Sequence, residues 1–410
     1  MITITDKPYD YTPVGQKLMV CMTSTNYLNA GFRFILNIPS IDVTLYLQPN
    51  PSGTGMLDLC PILRERLRHT ALANEYNINE EYSAHFSDEI TIVEGWLVGG
   101  IFTENPDAIK PARFKISVFL ANYEISDGYK PDPNVRYALN DDNDYLLSER
   151  TERTHSWQRA SEFGLDDSCI YIPVREEDWG IIMSIIYCPS QLNTYATNLY
   201  ILYYDNTGSV IGATNYTLDS GAPTHNNYIG IYPQNLDMDG ELPTNWYYYI
   251  LQAINNVGKY SRKYVFYKVA SDCRFDNVRL MWTNTCGGVD YFNFNKKNEV
   301  NYTLDRKQYT QVIGSYASTD FGFNTHDRGI TDRMVIATKG MVINSDWLSV
   351  GEFELLKTLL ISNDVYIVND DDGTQVPVIV DESSYIVKDD RYSRLFNLTI
   401  KLKFSQPVGI

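Results

Sequence analysis

Closely paired cysteines are missing from this sequence. Its six cysteines, Cys21, Cys60, Cys169, Cys188, Cys273 and Cys286, form no CxxC, and the closest two stand 13 residues apart. That spacing excludes a zinc ribbon. A chain of 410 residues is also long enough to fold without disulfide staples, so most of the thiols read as small buried residues in a reducing compartment. Positive charge is in deficit: 34 Lys and Arg stand against 51 Asp and Glu, a net charge of -17. Such a field repels phosphate backbones and anionic lipid, so no direct nucleic-acid partner is expected. No apolar run approaches the length of a membrane span. The opening residues, MITITDKPYDYTP, hold no basic stretch followed by an apolar one, so no secretory signal is expected and synthesis and folding in a cytoplasm are.

Catalytic motifs are absent as well. The five histidines, His69, His85, His155, His225 and His326, include no pair four residues apart. HExxH, GxSxG, the Walker loop and GxGxxG do not occur. His326 and Asp327 are chain neighbours and read as surface polar residues. Carboxylates are abundant enough for a glycosidase pair, but abundance in an acidic chain is not evidence for one. Asp237-Met-Asp239-Gly240-Glu241 and Asp370-Asp-Asp372-Gly373 resemble pieces of calcium loops, yet both lack the distal Glu at the required spacing; Asp-Gly is turn chemistry in its own right. The sequence therefore assigns no catalytic, cofactor-binding or metal-binding residue, expects no cofactor, and favours a non-enzyme.

Aromatics are plentiful, with 32 Tyr and 16 Phe. They favour half-buried strands, where a ring packs while a tyrosine hydroxyl reaches water. Length predicts two to four domains. Phe32, Phe34, Leu36 and Ile38 alternate as a strand, and Ile41 to Leu47 follows after a short connector, as a hairpin requires. Asp58 is placed to cap a helix beginning at Pro61, with Ile62, Leu63 and Leu67 inward and the arginines solvated. Strands are expected at 89–98, 114–121, 181–187, 199–204, 264–269, 278–284 and 289–294. The last of these follows the turn Thr285-Cys-Gly-Gly. Ser349 and Glu352 form a capping box with Leu348 and Phe353 as its hydrophobic staple, ahead of a stripe of Leu355, Leu356, Leu359 and Leu360. The hairpin 364–380 and the alternating strand Phe396 to Phe404 close the chain.

These signals predict a mainly β fold: several antiparallel β-sandwich or β-barrel domains with a few short helices. The Pro-, Asp- and Asn-rich stretch from Asp127 to Asp144 marks a boundary. The expected units are 1–145, with a short helix; 146–245, a β-rich middle domain or insertion; and 246–410, with the capped helix. The run Trp246-Tyr247-Tyr248-Tyr249 places aromatics on both faces of a strand. It is the sequence's best candidate for a sugar platform, although one face in a core and one in an interface is the simpler expectation.

Two stretches carry a resemblance. One is Phe32 to Leu67, a strand pair, the loop Pro49-Asn-Pro-Ser-Gly-Thr-Gly and Leu57-Asp-Leu-Cys-Pro-Ile-Leu. The other begins at Val278-Arg-Leu-Met-Trp-Thr-Asn and includes Ser345-Asp-Trp-Leu, Ser362-Asn-Asp-Val-Tyr and Val376-Pro-Val-Ile-Val. Together they resemble virion structural proteins of tailed bacteriophages, especially tail or neck components of phages with Bacteroidetes-type hosts, including crAss-like phages. The resemblance covers about half the chain and leaves out the middle region, 156–245. It implies a subunit located in the virion, part of a symmetric ring in the tail or head–tail connector. Its partners would be copies of itself and neighbouring tail or neck proteins. The competing expectation is a receptor- or carbohydrate-binding tail protein.

Overall fold

Alternating apolar residues build the first layer. Phe32, Phe34, Leu36 and Ile38 are all buried along the strand Phe32–Ile38. That strand pairs antiparallel with Val43–Leu47 on one side and His85–Val98 on the other. The corner between the hairpin strands is a 3-10 turn, Pro39–Ile41, closed by Asp42 in the left-handed region at φ 52°. The computed structural model describes residues 2–8, 11–14, 17–64, 66–67, 81–82, 85–98, 101–104, 111–119, 163–165, 168–185, 196–217, 226–255, 260–269, 274–284, 288–317, 320–381 and 397–406. The expected boundary at 127–144, the turn at 285–287, Cys188, Cys273, Cys286, His69, His155 and His225 lie outside them.

The first unit is a sandwich. Ile2–Asp6, Met19–Ser24 and Thr54–Asp58 form a three-stranded antiparallel sheet. Its Val20 and Met22 share one core with Phe34, Leu36, Ile90 and Ile116 of the larger sheet. Fully enclosing each large side chain contributes about 1.5–3 kcal/mol. The helix Cys60–Arg64 is a little over one turn, and the Asp58 carboxylate accepts hydrogen bonds from the Cys60 and Leu18 backbone N–H groups at 3.0 and 2.9 Å.

A five-stranded sheet forms the centre, in the order Ile170–Val174, Tyr264–Lys268, Tyr248–Asn255, Ala196–Tyr204, Val210–Thr217. Its first pair is parallel and the others are antiparallel. The tight turn between the last two strands is organised by Asp205, whose Oδ1 accepts from the backbone N–H groups of Thr207 and Ser209 at 2.9 Å. The middle unit drawn at 146–245 is therefore too short. Tyr248–Asn255 and Tyr264–Lys268 hydrogen-bond into the same sheet, because a sheet recruits strands by register and not by sequence adjacency.

The C-terminal unit is a seven-stranded sheet, in the order Val289–Phe294, Val278–Thr283, Val365–Val368, Gln375–Val380, Thr399–Phe404, Ile330–Asn344, Glu299–Thr310. The helix Val350–Ile361 packs on one face, burying Leu355, Leu356 and Leu359 with Leu280, Trp282 and Ile400. Its capping box is present in both directions: Glu352 N–H donates to Ser349 Oγ at 3.3 Å, and Ser349 N–H donates to Glu352 Oε2 at 2.8 Å. Leu348 and Phe353 are buried in the same cluster, as the staple requires. From the opposite face, Met281, Val289, Tyr291 and Val368 join the central core. The protein is mainly β, built of several antiparallel sheets. Among the described residues no helix is long and apolar enough to cross a membrane.

Candidate assembly surface

The central and C-terminal sheets are joined by buried charge. Asp178, with no exposed surface, follows the strand Ile170–Val174 by four residues. Its Oδ1 accepts from Arg175 Nε and Nη2 at 3.0 and 2.7 Å, and its Oδ2 from Arg279 Nη1 at 3.0 Å and Asn293 Nδ2 at 2.8 Å. Arg175 also grips Asp370 with both terminal nitrogens, at 2.9 and 2.7 Å. Burial works against the Arg175 charge, but Asp370 and Asp178 outweigh it and hold the guanidinium protonated more firmly than usual. The Arg279 guanidinium sits against both the Tyr232 and Tyr291 rings, 4.7 and 4.6 Å from their centroids, and its Nε donates to the Trp179 carbonyl at 3.0 Å. Two arginines and two aspartates balance in charge, so the junction is a neutral lock, although Arg279 Nη2 is buried without a hydrogen-bond partner among the described residues.

Above this lock a cleft of about 630 Å³ opens between the two sheets. Its floor includes the buried residues Arg175, Tyr232, Arg279 and Tyr291. Its rim is formed by exposed ones: Glu177, Phe275, Asp276, Asp346, Trp347 and Asp371. Trp347 is 66% exposed, unusual for the largest apolar side chain.

The outer edge of the C-terminal sheet is a long hairpin. Glu299–Thr310 and Ile330–Asn344 pair antiparallel from Glu299↔Val342 to Thr310↔Ile330, with one register shift between Lys307 and Gln308. Every residue of Glu299–Thr310 is exposed. Register places Val300, Tyr302 and Leu304 opposite Met341, Lys339 and Ala337, and Met341 in turn opposes the buried Leu402. The apolar face that the helix Val350–Ile361 covers over the inner strands thus continues onto the hairpin, where nothing covers Val300, Tyr302 and Leu304 among the described residues. Between the two long strands a small antiparallel pair, Ser315–Ala317 with Asp320–Gly322, presents Phe321 at 57% exposure. Gly314 makes the turn into this pair at φ +86°, and a Cβ there would lie 2.4 Å from the Gly322 carbonyl oxygen. Of the 24 large hydrophobic side chains exposed among the described residues, ten fall between Val300 and Met334. That concentration exceeds the scattered exposure a solvated surface normally carries.

The residues singled out from sequence are placed elsewhere. Trp246, Tyr248 and Tyr249 are buried, so the aromatic run is not a sugar platform. Alternation does send its rings to opposite faces: Tyr249 stacks on Phe266 at 4.8 Å in one cluster and Tyr248 on Tyr204 at 4.6 Å in another. Both faces are core. Asp237–Glu241 ends the helix Pro233–Met238 with Gly240 at φ +72°. Asp370–Gly373 is the turn between Val365–Val368 and Gln375–Val380. His326 is 82% exposed, with Nε2 4.0 Å from Asp327 Oδ1. The hairpin is absent from the strands expected above, although Val300, Tyr302 and Leu304 alternate in the sequence.

No family model matches the chain, and no curated protein does. Among solved structures it is similar to the fibronectin(III)-like modules of Clostridium thermocellum CbhA, at 8% identity over 65% of this chain and 94% of that one, with a TM-score of 0.18. It is also similar to the plexin A4 full extracellular region, at 8% identity over 99% of this chain and 34% of that one, with a TM-score of 0.18. Likenesses this slight carry no argument about fold or function.

Proposed function

We propose that this chain is a non-enzymatic structural subunit of a phage virion, forming part of a ring in the tail or neck. Copies of itself and neighbouring tail or neck proteins are its partners, and it reaches the virion after synthesis in the host cytoplasm. The observation that carries this reading is the hairpin Glu299–Thr310/Ile330–Asn344, an apolar face continuous with the protein's own core and left uncovered among the described residues. An edge strand of that length is ordinarily covered, shortened or heavily charged in a protein that works alone. The resemblance of the segments 32–67 and 278–410 to phage tail and neck proteins supplies the setting.

Electron microscopy of intact particles, with the chain located by labelling or fitting, tests the proposal. Closed rings along the tail axis, with copy number a multiple of the ring symmetry, are expected. Scattered low-copy monomers overturn it, and trimeric appendages at the tail tip replace it with a receptor-binding role.

A further inference from the structure

Resting on that reading, we infer that the hairpin of one copy docks in the acidic, aromatic-rimmed cleft at the foot of the hairpin of the next. The cleft and the hairpin are adjoining parts of one surface: Asn295 precedes the first long strand, Asp346 and Trp347 follow the second, and all three line the cleft.

The hairpin has to reach another molecule. Twelve paired residues at about 3.3 Å each extend it roughly 40 Å, and the antiparallel pairing runs the whole length with a single register shift. Charge selects the kind of contact. Residues 299–344 contain five acidic groups and five basic ones, so the whole net charge of -17 resides on the remainder of the chain. Two such bodies repel one another, whereas a neutral apolar arm approaches a body at no electrostatic cost. Side-chain chemistry narrows the docking point. Lys307 and Arg333 of the arm make no ion pair with any described residue; Lys307 lies opposite Met334, the neighbour of Arg333, at the register shift of the hairpin, and the exposed apolar residues Val312, Ile313, Phe321 and Phe323 lie beyond them towards the tip. The cleft offers the complement: exposed carboxylates at Asp276 and Asp371 beside the exposed rings of Phe275 and Trp347. An arm-to-cleft contact joins two different surfaces. It is heterologous, and repeating it generates a ring when the rotation closes.

Two charge-reversed forms of the full chain test this: an arm variant, Lys307→Glu with Arg333→Glu, and a cleft variant, Asp276→Lys with Asp371→Lys. All four residues lie outside the buried lock. The native chain is expected to assemble in a concentration series followed by light scattering. Each variant alone is expected to run as a folded monomer, and an equimolar mixture to assemble again, because each arm then meets a cleft of opposite sign. A cleft variant that assembles like the native chain, or a mixture that stays monomeric, overturns the inference. If Leu304→Asp abolishes assembly while the cleft variant does not, the arm docks elsewhere and the ring proposal stands. A native chain that is monomeric at every concentration overturns both.

Discussion

Arg175 holds the Asp370 carboxylate through both of its terminal nitrogens across 195 residues of sequence. The same Nη2 reaches Asp178 at 2.7 Å. The turn of a C-terminal hairpin is thereby clamped to the end of a central strand, and the indole of Trp179 donates to the Asp370 carbonyl at 3.1 Å to complete the clamp. A fork of planar donors suits this role better than a point charge, since two parallel bonds fix orientation as well as distance.

Removing Asp178 breaks the lock from its centre. Asp178→Ala leaves Arg279 and Arg175 buried with less counter-charge than they need, and a loss of about 3–5 kcal/mol is expected. Asp370→Ala costs less, because Asp178 continues to hold Arg175. Urea unfolding of the two variants checks the order; equal losses contradict it.

Alkaline pH should unfold the central unit early. Burial pushes the Tyr203 phenol up to about 12, and burial likewise raises Tyr249 and Tyr291. The folded state keeps these protons above pH 10, where the unfolded chain releases them. Stability is therefore complete below pH 10 and falls as pH rises towards 12, by about 1.4 kcal/mol per pH unit for each such phenol. The urea midpoint is expected to drop steeply from pH 10 to 11.5, and less steeply in Tyr249→Phe.

Ser349→Ala is expected to lower stability by about 1 kcal/mol, since the N–H of Glu352 then loses its acceptor at the first turn of the helix. Ser349→Asp restores most of it, the carboxylate accepting the same bond and favouring the helix N-terminus. Thermal melts of the three proteins decide this; a Ser349→Ala melt equal to the parent's shows that the cap contributes nothing.

Tyr302→Asp and Leu304→Asp separate folding from assembly. Both side chains are more than half exposed, so each change should leave the unfolding free energy within about 0.5 kcal/mol of the parent. Assembly measured by light scattering should nonetheless be lost. A large fall in stability instead means that the hairpin covers its own protein.

Much of the local structure was legible because it depends on neighbours in sequence. The capping box at Ser349 and Glu352 spans four residues, and the Asp205 turn closes within five. Period-two burial at Phe32, Phe34, Leu36 and Ile38 follows from the pleat alone. The opposite-facing rings of Tyr248 and Tyr249 were legible for the same reason, but what lay over each face was not. The extent of the middle unit is not legible, because the pairing of Ile170 with Tyr264 connects positions 94 apart by a parallel register that leaves no trace in either strand.

The sequence by itself determined the β character, the positions of about half the strands, the capped helix and the acidity that disfavours contact between bodies. All of these are properties of composition or of residues within a turn of one another. Only the tertiary structure decided that Arg175 and Arg279 meet at Asp178 and that Arg175 reaches Asp370, that the cleft opens above them, and that Val300, Tyr302 and Leu304 stand exposed, with nothing over them among the described residues. Alternation in a strand states which side chains share a face; whether that face meets a core or the solvent depends on what the rest of the chain brings over it.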